Sequence, residues 1–439
     1  MAATDTTPPS PPPDPSEDER LADQAHHERR AIWLLGLPTF GLALSITVVT
    51  TYLPLIAQEF TSSSIVVGVL IGSEGLMALF LPLVVGTWSD QLRSPIGGRL
   101  PFLIVATPPL VVALALLGFA GGLVIALGLV WLFFAAYFVA YEPYRALYPD
   151  LVSDDRAGLS QSVQAIWRGA ATGLALVAGG LLFDLSPWVP FVAAAVVTLA
   201  VMLLFLHRMV HNPGRRWHEP EHPKPLAAAV RELRTMVEGR PGLQAYLAAN
   251  ALWEASLGAL KTFVLLYVTV GLGIEVGDAA LIVGAAALFV LGGAVVSGIL
   301  ADRYGQLQVL RITLIVYGIG LLVPAVTTAT LPLVLIAPVA AFGGGTLMTL
   351  PYALLMPHMP SGSHGALTGF YSLSRGIGTM LGPLLTGIFV DVFAGPFDGT
   401  EGYQAMWIVC GGTVLGSLWF VRKMKAVYAA RQGAEQPGG

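Results

Sequence analysis

The chain has 439 residues, of which 55% are hydrophobic and only 11% charged. Soluble domains carry about 25% charged residues, so a water-solvated surface is excluded and the class is integral membrane. The formal net charge of −4 is unevenly placed with no basic domain for nucleic acid, and the only cysteine, Cys410, lies in an apolar run; this excludes a disulfide framework and a thiolate metal site.

Residues 1–30 are rich in Pro and acidic residues and lack an apolar segment. They read as a disordered cytosolic tail, with no cleavable signal peptide. Apolar runs then recur at a length of about 20 residues, enough to cross a hydrocarbon layer at 1.5 Å rise per residue. In chain order they fall at 31–57, 65–88, 100–120, 122–147, 161–183 and 187–207, and again at 243–271, 278–301, 308–329, 331–356, 365–391 and 403–422. The reading is an all-α integral membrane protein of twelve transmembrane helices. Residues 31–207 form an N-terminal six-helix half and 243–422 a C-terminal one. The polar stretch 208–242 between them is a cytosolic central loop, with an amphipathic helix at 226–237 on the membrane surface. Residues 423–439 form a cytosolic tail.

Basic residues fall on one side. Arg29, Arg30, Arg93, Arg99, Arg156, the central loop, Arg303, Arg311 and Arg422 alternate with loops at 58–64, 184–187, 272–277 and 392–402 that contain no Lys or Arg. The positive-inside rule places both termini in the cytosol of a multi-pass protein of the inner or plasma membrane.

The two halves repeat. PYRALYPDLVSDDRAGLSQSVQAIWRG at 143–169 has a looser copy at 351–376. Pro143 and Pro149 match Pro351 and Pro357; with one residue of slippage Arg168 matches Arg375 and Asp184 matches Asp391. Gly86-Thr-Trp-Ser-Asp90 at the end of helix 2 is echoed by Gly298-Ile-Leu-Ala-Asp302 at the end of helix 8. Twelve helices as two like-oriented sixes joined by a long loop is the pattern of a major facilitator transporter. In that pattern Gly86, Asp90, Arg99, Asp150, Arg156, Gly298, Asp302 and Arg303 are candidate gating residues.

The loop GTWSDQLRSPIGGRLPF at 86–102 resembles the helix 2–3 loop of the sucrose-transporter branch of the glycoside–pentoside–hexuronide:cation symporter family. Gly86, Ser89, Asp90, Ser94, Gly97, Arg99, Pro101 and Phe102 stand in that motif's register. PYRALYPDL is similar to the branch's R-A-L-x-x-D-L after helix 4. The resemblance implies a cation-coupled secondary transporter for a sugar or glycoside. The family's paired Asp of helix 2 are replaced by Ala78 and Pro82, and its Asp before the elbow by Tyr141. Coupling would then fall to other intramembrane charges.

Charges at mid-bilayer cost about 2.5–3.5 kcal/mol on insertion scales and usually face a cavity or a partner. Glu74, Glu142, Glu254 and Lys261 are the candidates for proton coupling. Glu254 and Lys261 share a face of helix 7 and read alternatively as a structural ion pair. The candidates for binding a polar solute are Arg145, Asn250 and the polar stripes of helices 5 and 11 around Gln164, Arg168 and Arg375. Tyr141, Trp167, Trp253 and Tyr371 join them, because aromatic faces pack on sugar rings.

His218-Glu-Pro-Glu-His222 fits H-E-x-x-H literally, but that zinc site needs both His on one regular helix and Pro220 breaks it. No enzyme, cofactor or metal is expected. The expected partners are a small-molecule solute, protons and the lipid bilayer, with no nucleic acid, and the chain is expected to be a monomer. The preferred function is proton-coupled import by alternating access. A proton-coupled exporter and a non-transporting sensor or assembly factor on the same fold are the alternatives.

Overall fold

The computed structural model describes residues 17–152, 156–211, 231, 235, 237–355 and 364–434. These form α1 (Glu17–Ala57), α2 (Ser64–Gln91), α3 (Leu100–Leu117), α4 (Leu123–Leu151), α5 (Ala157–Leu185), α6 (Val189–Val210), α7 (Pro241–Leu266), α8 (Val276–Tyr304), α9 (Gln306–Val326), α10 (Thr330–Leu355), α11 (His364–Val392) and α12 (Met406–Ala434). All twelve contain a stretch long and apolar enough to cross a membrane. Helices are the solution because lipid offers no partner for a free backbone N–H or C=O. Pro101, Pro190 and Pro241 stand in the first turns of α3, α6 and α7, where a missing N–H costs nothing. α7 ends in a π-helical turn, Tyr267–Gly271. Large apolar side chains such as Val124, Phe80, Leu288 and Val326 remain exposed around the bundle, as a lipid-facing surface requires.

Each half repeats one plan of helix contacts. α1 packs on α5 and α6, α3 on α4 and α6, and α2 on α4. α7 packs on α11 and α12, α9 on α10 and α12, and α8 on α10 in the same way. Tyrosines tie the first helix of each half to the helix bearing its elbow. Tyr144 Oη on α4 donates to the Leu35 carbonyl of α1 (2.7 Å), and Tyr246 Oη on α7 donates to the Pro351 carbonyl of α10 (2.7 Å). Between the halves, α2 packs along α11 and α5 along α8. Gly68, Gly72 and Gly75 bring the α2 backbone against Pro383, Met380 and Gly376 of α11. Gly378 and Gly382 do the same for α11 against α7.

Several boundaries differ from the sequence reading: α1 begins at Glu17, inside the segment read as a disordered tail, and α12 runs on to Ala434, past the expected end of the last span. α4 does not stop near 147 but runs on through the elbow to Leu151, because Asp150 in its last turn is held by Arg99 (2.5 Å). α3 ends earlier than 120, at Leu117, where Gly118 lies against Trp188 at the start of α6.

Candidate functional site

A cavity of about 140 Å³ lies between the halves, walled by α1, α2, α4 and α5 on one side and α7 and α11 on the other. It is rich in charge. Lys261 on α7 reaches across the interface to Glu74 on α2 (Nζ–Oε2 3.0 Å). Arg375 on α11 turns to Glu254 on α7 (Nε–Oε2 3.7 Å). The same-helix pair Glu254–Lys261 therefore does not form; seven residues of helix separate the two by about 10.5 Å along the axis, too far for one ion pair, and each finds a partner on another helix.

The α4 wall is a strip of tyrosine flanked by guanidinium groups. Tyr137 stacks on Tyr141 (centroids 5.3 Å apart, planes 19° apart). Arg168 of α5 donates from Nη2 to Tyr141 Oη (3.3 Å). The Arg145 guanidinium lies 5.5 Å from the centroid of the same ring. Glu142 borders the cavity beside them and makes no ion pair or hydrogen bond among the described residues. Hydroxyls of Thr39, Thr47, Thr172, Ser372 and Thr379 complete the polar lining.

The structure thus gathers Glu74, Tyr141, Glu142, Arg145, Arg168, Lys261 and Arg375 around one space, with Glu254 behind Arg375. It does not bring Gln164, Trp167, Asn250, Trp253 or Tyr371 to the cavity wall. Gln164 is buried. Trp167 wedges between Trp33 and Phe40 of α1, edge to face at 5.8 and 5.7 Å. Asn250 donates to Ser374 Oγ on α11 (2.8 Å) and Trp253 to Ser417 Oγ on α12 (2.7 Å), so both hold helices together. Tyr371 is half-buried on α11. Thr39, Thr47 and Tyr137 were missed by sequence reasoning. Thr39 and Thr47 stand eight residues apart on one face of α1, the signal by which they could have been found.

A larger crevice of about 710 Å³ opens between α8, α9 and α10. Its walls, including Phe289, Ile312, Val316 and Phe342, carry no charged side chain, so the chemistry lies in the smaller central cavity.

The two ends of the bundle are built differently. On the face that bears the termini, Arg99 binds Asp90 (2.9 Å) and Asp150 (2.5 Å) and donates to Ser89 Oγ (3.2 Å). The turn that aims it needs Gly97 at φ 89°, and its counterpart after α8 has Gly305 at φ 88°; that backbone region favours glycine. This cluster ties α2, α3 and α4 within one half. In the second half Asp302 and Arg303 end α8, with the Arg303 guanidinium 5.4 Å from the Tyr304 ring centroid. Gly86 and Gly298 have open space where a side chain would lie, and Arg156 precedes α5. The His218 motif and most of the 226–237 segment lie outside the described residues.

On the opposite face, polar bonds join the halves. Asp391 at the end of α11 accepts from the Ser64 and Ile65 amides (2.8 and 3.2 Å) and from Ser63 Oγ (2.7 Å), capping α2. Asp184 at the end of α5 accepts from the Gly277 amide of α8 (3.2 Å). Gln58 donates to Tyr403 Oη. The sequence match of Asp184 to Asp391 is therefore a structural one, each aspartate capping a helix of the other half.

Two six-helix halves around a polar cavity, bound together on one face, define a secondary transporter. The chain belongs to the Major Facilitator Superfamily, whose profile matches residues 35–271 and 247–437. It is 24% identical over 392 residues to the tetracycline resistance protein, class D, of Salmonella ordonez, covering 86% of this chain and 92% of that one. A shorter match, 26% over 102 residues, links it to multidrug resistance protein 3 of Bacillus subtilis (strain 168); it covers 23% of this chain and only 20% of that protein's length. Among solved structures, a bacterial homolog of the human lysosomal transporter Spinster, inward-facing and unoccupied, superposes with a TM-score of 0.74 at 15% identity, over 90% of this chain and 96% of that one. The nucleoside transporter NupG gives 0.69 at 16% identity, over 91% and 98%. These likenesses establish the fold.

Proposed function

We propose that the protein is a proton-coupled transporter of a small polar solute, acting as a monomer in the cell membrane with both termini in the cytosol. The observation that carries this reading is the Glu74–Lys261 bridge (3.0 Å), which spans the two halves at the cavity. Protonation of Glu74 would remove the charge that holds Lys261 and free one half to rock against the other. Glu254 and Arg375 would relay the same change on the second half, with Glu142 as a further proton acceptor. With the termini cytosolic, closure by Asp391, Asp184 and Gln58 lies on the outer face. The cavity is smaller than the roughly 300–1,000 Å³ of drug-sized ligand pockets, which favours a small solute. The helix 2–3 loop supports a sugar or glycoside by resemblance.

The test is uptake by proteoliposomes for a panel of small solutes under imposed proton or sodium gradients. An inward proton gradient is expected to drive accumulation, and Glu74→Gln with Glu254→Gln to abolish it. Accumulation that persists in the double variant, or follows sodium alone, would overturn proton coupling through these groups.

The relation to the tetracycline resistance protein supports a second reading, an exporter that exchanges solute for protons. It uses the same residues. Solute leaving vesicles against its gradient when protons enter would select it over import. A non-transporting sensor has less support, because charged side chains line the cavity between the halves.

A further inference from the structure

The charges of the cavity do not balance, and the imbalance has an address. Glu74 is committed to Lys261 and Glu254 to Arg375. Arg145 and Arg168 remain, with Glu142 the only other carboxylate at the wall. Neither arginine has a carboxylate within ion-pair distance among the described residues, and comparison of the two halves singles out Arg168. Arg375 on α11 is neutralised from α7, the first helix of its half. Arg168 holds the matching place on α5, which packs on α1 as α11 packs on α7. The spanning part of α1, residues 31–57, contains no Asp or Glu. Arg168 consequently has no carboxylate within ion-pair distance among the described residues, and its one hydrogen bond there is to the Tyr141 hydroxyl. It lies about 17 Å along α5 from the helix start, near mid-bilayer, where an unneutralised charge is costly and seldom idle. Arg145 approaches the same tyrosine from its ring face.

We propose that Arg168 is the docking point for an anionic group of the transported solute, so that the cavity takes small organic acids as their anions. A guanidinium presents its N–H groups as a planar fork that meets two oxygens of a carboxylate or phosphate together. Tyr141 holds that fork in place, and Arg145 adds a second positive charge on the other side of the ring. The inference rests on the transporter reading, and it puts an anionic solute in place of the neutral sugar suggested by the resemblance of the helix 2–3 loop.

Matched pairs of probes test it: benzoate with benzyl alcohol, gluconate with glucose, and glycerol 3-phosphate with glycerol. Binding to the purified full chain is measured by equilibrium dialysis, and flux separately in proteoliposomes. The anion of at least one pair is expected to bind and to be transported in preference to its neutral partner. The phosphate pair distinguishes the two oxyanion types. Arg168→Gln should weaken that binding on the order of tenfold or more. Arg168→Lys, which keeps the charge and loses the fork, should retain part of it, and serves if the Gln variant does not fold. Neutral partners that bind as tightly as anions, no anion binding at all, or anion binding unchanged in both Arg168 variants would overturn the inference. Flux of neutral solutes alone would overturn it and leave the transporter reading standing. Anion binding that needs Arg168, without flux of any solute, would do the reverse.

Discussion

At the scale of single residues, what decides behaviour is which charges are paired and which are not. The Glu74 side chain is 9% exposed and its partner Lys261 37%. Removing the lysine leaves a carboxylate in a protein-walled space with no other cation within ion-pair reach among the described residues. Lys261→Met is expected to lower stability by about 1–2 kcal/mol, less than the roughly 3–5 kcal/mol of a fully buried pair, because water reaches the lysine and screens it. Adding Glu74→Gln should restore most of that loss. Thermal melting of the four proteins of this cycle in detergent measures the coupling; a double variant as unstable as the sum of the singles would show that the bridge is not the source. The buried indoles illustrate the other outcome. Trp253 gives its N–H to Ser417 and is a packing residue, and Trp167 is fixed by its neighbours on α1.

At the scale of elements, the helices of the two halves meet end to side through caps. An anion at a helix N-terminus is worth about 0.3–1 kcal/mol when exposed and up to about 2 kcal/mol when partly buried. Asp391 satisfies two amides and a hydroxyl of α2 from the opposite half, and Asp184 one amide of α8. These bonds must break for that face to open. Asp391→Asn should therefore shift the equilibrium toward opening by about 1 kcal/mol, roughly a fivefold change in population. Asp184→Asn should act in the same direction but less, with one bond at stake. Spin labels at Ser62 and Gly399, both exposed on that face, would report the change as a larger population at long distance. An unchanged distance distribution in both variants would rule out the caps as a latch.

At the scale of the whole molecule, the repeat of one packing plan makes alternating access geometrically simple. α2–α11 and α5–α8 are equivalent pairs under exchange of the halves, so one rocking motion moves both. Sidedness is open to a direct check. In intact cells, a cysteine introduced at Ser62 should react with an impermeant maleimide, and one introduced in the 208–242 segment should not; the native Cys410 is buried. The reverse pattern would invert the topology and turn the closed face toward the cytosol.

Much of this was written in the chain. Apolar runs at bilayer length, a one-sided distribution of Arg and Lys, and two copies of the elbow and of the α2 and α8 endings together specify twelve helices in two like halves. Those are local or periodic properties, and the bilayer reads them one segment at a time. The list of intramembrane charges was equally legible, because each is an exception in an apolar run. Their pairing was not. On one helix Glu254 and Lys261 look like partners, but seven residues hold them about 10.5 Å apart. Each turns to a side chain more than a hundred residues away in sequence, Glu254 to Arg375 and Lys261 to Glu74. Only the packing of α2, α7 and α11 brings those atoms within reach. The same packing leaves Arg168 without a carboxylate in ion-pair reach among the described residues, because the spanning part of α1, residues 31–57, has none to offer.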